Sequence, residues 1–225
     1  MALDISRIQA LCFDVDGTLS DTDDQFVIRL AGWLKLARRL FPEHDPLPFA
    51  RRVVMTTESP GNALFGLPDR LGMDEEFAAL GDFIYRMGLG KSPRPFLLIE
   101  GVQQVLQELK PRYPLSIVSA RGQRSTLHFL EQFDLLPNFQ CVVTGQTCQY
   151  TKPYPHQILW AAEQMGVKPE ACLMIGDTTV DIRAGRAAGA QTVGVLCGFG
   201  EEAELRQAGA DLILATTADL PGVLS

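Results

Sequence analysis

Apolar residues along this chain fall into two alternating rhythms. Short apolar runs, each the length of a buried strand, occur at Ile8 to Phe13, Leu115 to Val118, Cys141 to Val143, Cys172 to Ile175, Thr192 to Val195 and Leu212 to Leu214. Between them the apolar positions spread to helical spacing. Val102, Val105, Leu106 and Leu109 share one face, and Pro111 stops that helix. Ile158, Leu159, Ala162 and Met165 repeat the pattern behind Pro153 and Pro155, which suit an entry turn. The stretch from Thr179 to Ala188 is rich in alanine and glycine, as a helix pressed closely on a sheet would be. Strand and helix in alternation predict an α/β fold built on a parallel, doubly wound sheet.

The stretch from about Asp21 to Pro95 breaks that alternation. It opens on Asp21-Thr22-Asp23-Asp24, an acid-rich helix start that complements the helix dipole. Phe26, Leu30, Trp33, Leu34, Ala37 and Phe41 mark one helical face, and Phe77, Leu80, Ile84 and Met87 a second, ended by Gly88. Turn-rich stretches at Pro42 to Pro48 and Ser59 to Gly72 separate them, and no strand pattern appears. These residues read as a helical insert in the sheet domain.

Composition narrows the class. A chain of 225 residues with 46% hydrophobic and 21% charged residues can bury one sizeable core, or a core and a modest insert. Its net charge of -7 argues against a nucleic-acid partner, which needs a basic face. A phosphorylated small molecule remains compatible, because a local cation can override the global sign. The five cysteines are scattered with no Cys-x-x-Cys pair, which suits reduced thiols in a cytoplasmic protein. Asp4 and Arg7 precede any long apolar region, so neither a signal peptide nor a membrane partner is expected.

The densest chemical signal is Asp14-Val15-Asp16-Gly17-Thr18-Leu19, two carboxylates where the first strand ends. Acids at the exit of a buried strand are costly to hold unless a cation or a reaction uses them. Three more polar groups sit where strands or their following loops should end. Ser119 follows Val118, Lys152 stands in Thr151-Lys152-Pro153-Tyr154-Pro155, and Asp177 follows Ile175-Gly176 with Asp181 four residues on. Ligands of open parallel sheets bind at the carboxyl ends of the strands, so these groups should meet in one crevice. Taken singly, each has a plain explanation: Ser119 as a turn former, Lys152 as a solvated lysine, Asp181 as a helix N-terminal acid. Their joint order is what carries weight.

That order resembles the haloacid dehalogenase superfamily, whose four motifs match Asp14-Val15-Asp16-Gly17-Thr18, Ser119, Lys152 and Gly176-Asp177-Thr178-Thr179-Val180-Asp181. The resemblance implies a Rossmann-like core at 1–20 and 96–225 and a helical cap at 21–95. It further implies that Asp14 is a nucleophile forming an aspartyl-phosphate, and that Asp16 serves as acid and then base. Mg²⁺ would be held by Asp14, Asp177 and the backbone carbonyl of Asp16. Lys152, Ser119 and Arg121, with backbone N–H groups around Val15, Asp16 and Ala120, would hold the phosphate, while Thr18 and Asp181 stand behind the site.

An acid at Asp16 favours phosphoryl transfer, since dehalogenases of this family lack one there. The Lys152-Pro153 pair and the helical insert look most like the phosphoglycolate phosphatase subgroup. The chain departs from that subgroup at Ser119-Ala120-Arg121, where threonine, asparagine and lysine are common. The expected function is therefore a Mg²⁺-dependent phosphatase of a small phosphorylated metabolite, working as a monomer or homodimer. The alternatives are a sugar phosphomutase of the β-phosphoglucomutase type and a non-enzymatic phosphate-sensing protein.

Overall fold

The computed structural model describes residues 3–21 and 96–225. The insert helices read above, and every residue from 22 to 95, lie outside the described residues. Six strands form one sheet: β1 (Ala10–Phe13), β2 (Leu115–Val118), β3 (Cys141–Val143), β4 (Cys172–Gly176), β5 (Gln191–Val195) and β6 (Leu212–Leu214). All pairs are parallel, and the order across the sheet is β3-β2-β1-β4-β5-β6. Strands climb one way from β1 through β2 and β3, and the other way from β4 to β6. The crevice of such a sheet opens where those two directions part, between β1 and β4.

Both faces of the sheet are covered, which explains why β1 reads as a continuous apolar run rather than an alternating one. Leu11 and Phe13 enter a core of large residues with Leu106, Ile117, Phe129 and Leu173. Ala10 and Cys12 face the other way, among Cys172, Met174, Ala161 and Ala184. The second core is built from small side chains, so its helices approach closely. At Gly185 a Cβ would stand 2.5 Å from the Thr192 methyl, so the helix rests almost directly on β5. The five free cysteines include Cys12 and Cys172, packed as small buried groups in this layer.

The helices are α1 (Val102–Leu109), α2 (Gln123–Gln132), α3 (His156–Met165), α4 (Thr179–Ala188), α5 (Glu202–Ala208) and α6 (Leu220–Leu224). The expected α1, α3 and α4 are present. Three were not foreseen, because their apolar stripes are thin: α2 buries Thr126, Phe129 and Leu130, and α5 buries Leu205 alone. The first strand starts two residues later than its hydrophobic run. Ile5–Arg7 form a 3₁₀ turn whose entry is fixed by the Asp4 carboxylate accepting the Ser6 N–H, and Ile8 closes it. Among the described residues no helix is long and apolar enough to cross a membrane.

The described residues on either side of 22–95 meet at one place. Ser20 pairs with Leu98 in an antiparallel bridge, flanked by Asp21 N–H to Leu97 C=O at 2.9 Å and Ile99 N–H to Leu19 C=O at 3.0 Å. The two crossings run side by side, directly after the acidic loop.

Candidate active site

Register puts the chemistry at one level. Phe13 is paired with Ile175 on one side and Ile117 on the other, so Asp14, Asp177 and Ser119 emerge within a residue of each other. The Asp14 N–H continues the ladder to the Ile175 carbonyl at 2.9 Å, and the Ser119 N–H does so to Val143 at 2.9 Å. Beyond Asp14 the chain folds back at once: the Val15 carbonyl accepts the N–H groups of Leu19 at 2.9 Å and Ser20 at 2.8 Å. That turn is held from below by the Thr217 hydroxyl, which donates to the Thr18 carbonyl at 2.6 Å. The Thr18 hydroxyl is buried without a hydrogen-bond partner among the described residues.

Lys152 is the centre of the buried part. It is 2% exposed, and its ammonium lies 2.7 Å from Asp14 Oδ1 and 2.6 Å from Asp181 Oδ1. Its peptide bond to Pro153 is cis. Carboxylate oxygens of Asp14, Asp177 and Asp181 lie within 4.8 Å of one another, all three residues buried. Burial pushes the Asp14 carboxyl up from its ordinary 3.8 to about 8, against the pull of Lys152 and with a further push from Asp181 and Asp16. Burial also works to lower Lys152, but the two facing carboxylates outweigh it and hold its pKa above the ordinary value. Within this pair the ammonium is the fixed charge and the Asp14 carboxyl is the group that titrates.

Asp181 is fully committed to its surroundings. Oδ2 accepts the N–H of Thr178 at 3.0 Å and its hydroxyl at 2.6 Å, capping α4, while Oδ1 takes Lys152. Such a carboxylate orients its neighbours rather than binding an ion directly. Asp177 is buried at the end of β4 and accepts the Phe199 N–H at 2.8 Å. The loop after β5 therefore closes over it. At Gly198 a Cβ would stand 2.2 Å from Asp177 Oδ2 and 2.6 Å from the Gly17 carbonyl, so only glycine lets the two loops meet.

Asp14 and Asp177 are hard oxygen donors in a buried cluster of three carboxylates, two of which meet the one ammonium. That donor set and charge imbalance fit a small divalent cation.

Asp16 points elsewhere. Its carboxylate is forked by Arg121, with Nε at 3.0 Å from Oδ2 and Nη2 on Oδ1. Arg121 lies over the Phe96 ring, 5.0 Å from its centroid, and its backbone N–H donates to the Ser119 hydroxyl oxygen at 3.1 Å. Ser119 is buried, while Ala120 is exposed and carries no polar side chain to the crevice.

Three contributors had not been singled out from the sequence. Gln157, in the first turn of α3, is fully buried and joins three loops: its Nε2 donates to the carbonyls of Ser119 and Thr144, each at 2.9 Å, and its Oε1 accepts the Lys152 N–H at 3.3 Å. Gly198 and Phe199 are the others. A lone glutamine in a helix start gives no periodic or motif signal. The glycines at 198 and 200 stand just after the β5 run, and that position is the signal that could have pointed to a close approach there.

Comparison with known proteins agrees with this geometry. Residues 11–195 match the model of a family described as haloacid dehalogenase-like hydrolase. A phosphoglycolate phosphatase of Chromobacterium violaceum is 26% identical over 97% of each chain. Another, of Nitrosococcus oceani, is 31% identical over a match that spans 57% of this chain and 57% of that relative. Among solved structures, a Bacteroides fragilis protein provisionally named a haloacid dehalogenase-like hydrolase shares the fold with a TM-score of 0.71 at 23% identity, over 95% of this chain and 99% of that one. The chain is an enzyme of the haloacid dehalogenase-like hydrolase family.

Proposed function

We propose that the protein is a Mg²⁺-dependent phosphatase that hydrolyses a small phosphate monoester through an aspartyl-phosphate on Asp14. The observation that carries this reading is the Lys152 ammonium, 2.7 Å from Asp14 and 2.6 Å from Asp181 at the seam between β1 and β4. A carboxylate attacking a phosphate dianion meets like-charge repulsion, and a buried fixed cation beside the nucleophile opposes it. The phosphatase relatives support the same reaction class.

In this reading an Asp14 oxygen bonds phosphorus and the ester oxygen departs with a proton from Asp16. Asp16 then takes a proton from water as that water attacks phosphorus and frees Asp14. Ser119 and Lys152 hold phosphoryl oxygens, assisted by backbone N–H groups at Val15, Asp16 and Ala120. Gln157 keeps the Ser119 and Lys152 loops at a fixed separation. Asp14, Asp177 and the Asp16 carbonyl would hold the ion, which supplies positive charge to the transferring phosphoryl group. Asp181 and Thr18 support the site from behind. The core comprises 1–20 and 96–225, and residues 21–95 form a cap that excludes bulk water. Free, scattered cysteines suit the cytoplasm.

The test is phosphate release from a generic phosphate ester with Mg²⁺. Asp14→Asn is expected to cost at least about 10³-fold in kcat. EDTA is expected to abolish turnover. An Asp14→Asn protein that still turns over rejects the mechanism, and turnover untouched by chelation rejects the metal. Isomerised ester with little free phosphate would instead identify a phosphomutase.

A further inference from the structure

Arg121 combines a pinned backbone with a side chain placed to change partners. Its N–H is held by the Ser119 hydroxyl, and its carbonyl accepts the Gly145 N–H at 2.9 Å. The guanidinium is backed by the Phe96 ring, a geometry that fixes its plane without using its N–H donors. Two donors are spent on Asp16, whereas Nη1 is buried with no hydrogen-bond partner among the described residues. A buried guanidinium donor left unused is costly, and it marks a place where an acceptor fits.

The partner it now holds is the residue assigned to proton transfer. Both carboxylate oxygens of Asp16 are engaged by the fork, so the pair must open before Asp16 can serve a leaving oxygen. The pair is partly exposed, with side chains 13% and 29% accessible, which makes it far weaker than the buried Lys152 contacts and able to exchange.

We infer that Arg121 is the receptor for a second anionic group on the substrate, at the place taken by the Asp16 carboxylate in this structure. The inference rests on the phosphatase reading and deepens it. The substrate class is a phosphate monoester that also bears a carboxylate or a second phosphate close to the ester oxygen. The planar fork suits either anion by bidentate contact. On binding, the substrate anion takes the guanidinium and Asp16 is released to the ester oxygen, so correct substrates assemble the catalytic arrangement and neutral esters do not.

The test compares kcat/KM, with Mg²⁺ present, for phosphoglycolate, for ethylene glycol bisphosphate and for the uncharged amide of phosphoglycolate. The wild-type protein is expected to prefer one or both charged esters over the amide by at least about tenfold. Arg121→Gln is expected to bring that ratio to within about threefold of unity, and Arg121→Lys to keep an intermediate preference. Reading a ratio within each protein removes general losses of activity, and Arg121→Lys preserves the charge should the glutamine variant fold poorly. Which charged ester wins identifies the anion. Equal wild-type turnover of all three esters, or a preference that survives in Arg121→Gln, overturns the inference while leaving the phosphatase reading intact. Failure of the wild-type protein to release phosphate from any of them defeats both.

Discussion

Two acidic positions in one loop, two residues apart, live in different physical worlds. Asp14 is sunk between β1 and β4, 6% exposed, against a buried ammonium. Asp16 stands at the rim with a 29% exposed side chain, on an arginine that stacks over Phe96. The seam is fixed: Lys152, Asp181 and Thr178 form a chain of short contacts tied to the start of α4. The rim is exchangeable. On the proposed mechanism, preorganised charge lies where the bond to phosphorus would form, and a movable ion pair where the substrate would be recognised and a proton passed.

The sharpest way to break this contrast is Lys152→Ala. Removing the ammonium deletes the fixed charge and is expected to lower kcat by about 10²–10³-fold. It also leaves the Asp181 carboxylate buried without that cation, at a cost of about 3–5 kcal/mol in a denaturant melt at neutral pH. Stability and kcat close to wild type would mean the seam is not the preorganised half. Asp181→Asn should be milder, because it disturbs Lys152 and the cap of α4 and leaves Asp14 in place. A loss of about 10–100-fold in activity or Mg²⁺ affinity is expected by steady-state kinetics, and no change in either would remove Asp181 from the site.

The smallest effect is a pH slope. In the ion-free protein Asp14 holds its proton up to about 8, whereas an unfolded chain releases it near 3.8. Between those values the folded state binds the extra proton, so this residue makes stability fall as pH rises across the window. The slope should be shallower in Asp14→Asn, measured by thermal melting in chelator. Mg²⁺ must displace the same proton, so its apparent affinity is expected to rise with pH up to about 8, with proton release seen by calorimetry in buffers of different ionisation enthalpy. An affinity flat across that range would place the ion away from Asp14.

Much of the sheet was readable because both its faces are covered, which leaves short uninterrupted apolar runs such as Cys172-Leu173-Met174-Ile175. The polar residue after such a run is forced to the strand's carboxyl end, so the positions of Asp14, Ser119 and Asp177 followed. Partners across the crevice did not follow. Nothing in a linear pattern says that Arg121 would reach Asp16 rather than solvent, a pairing across 105 positions. Gln157 was equally silent, since its three contacts come from loops brought together only by the sheet order. Helices α2 and α5 escaped notice because each rests on the core by a narrow stripe.

The hydroxyl of Thr217 steadies the turn after Asp14 from 199 positions downstream. During synthesis at about 5–20 residues per second, the loop after Asp14 is made early and waits roughly 10–40 seconds for this contact. A growing polypeptide on the ribosome therefore carries the Asp14 loop long before that loop has its support, which arrives only once Thr217 has been made.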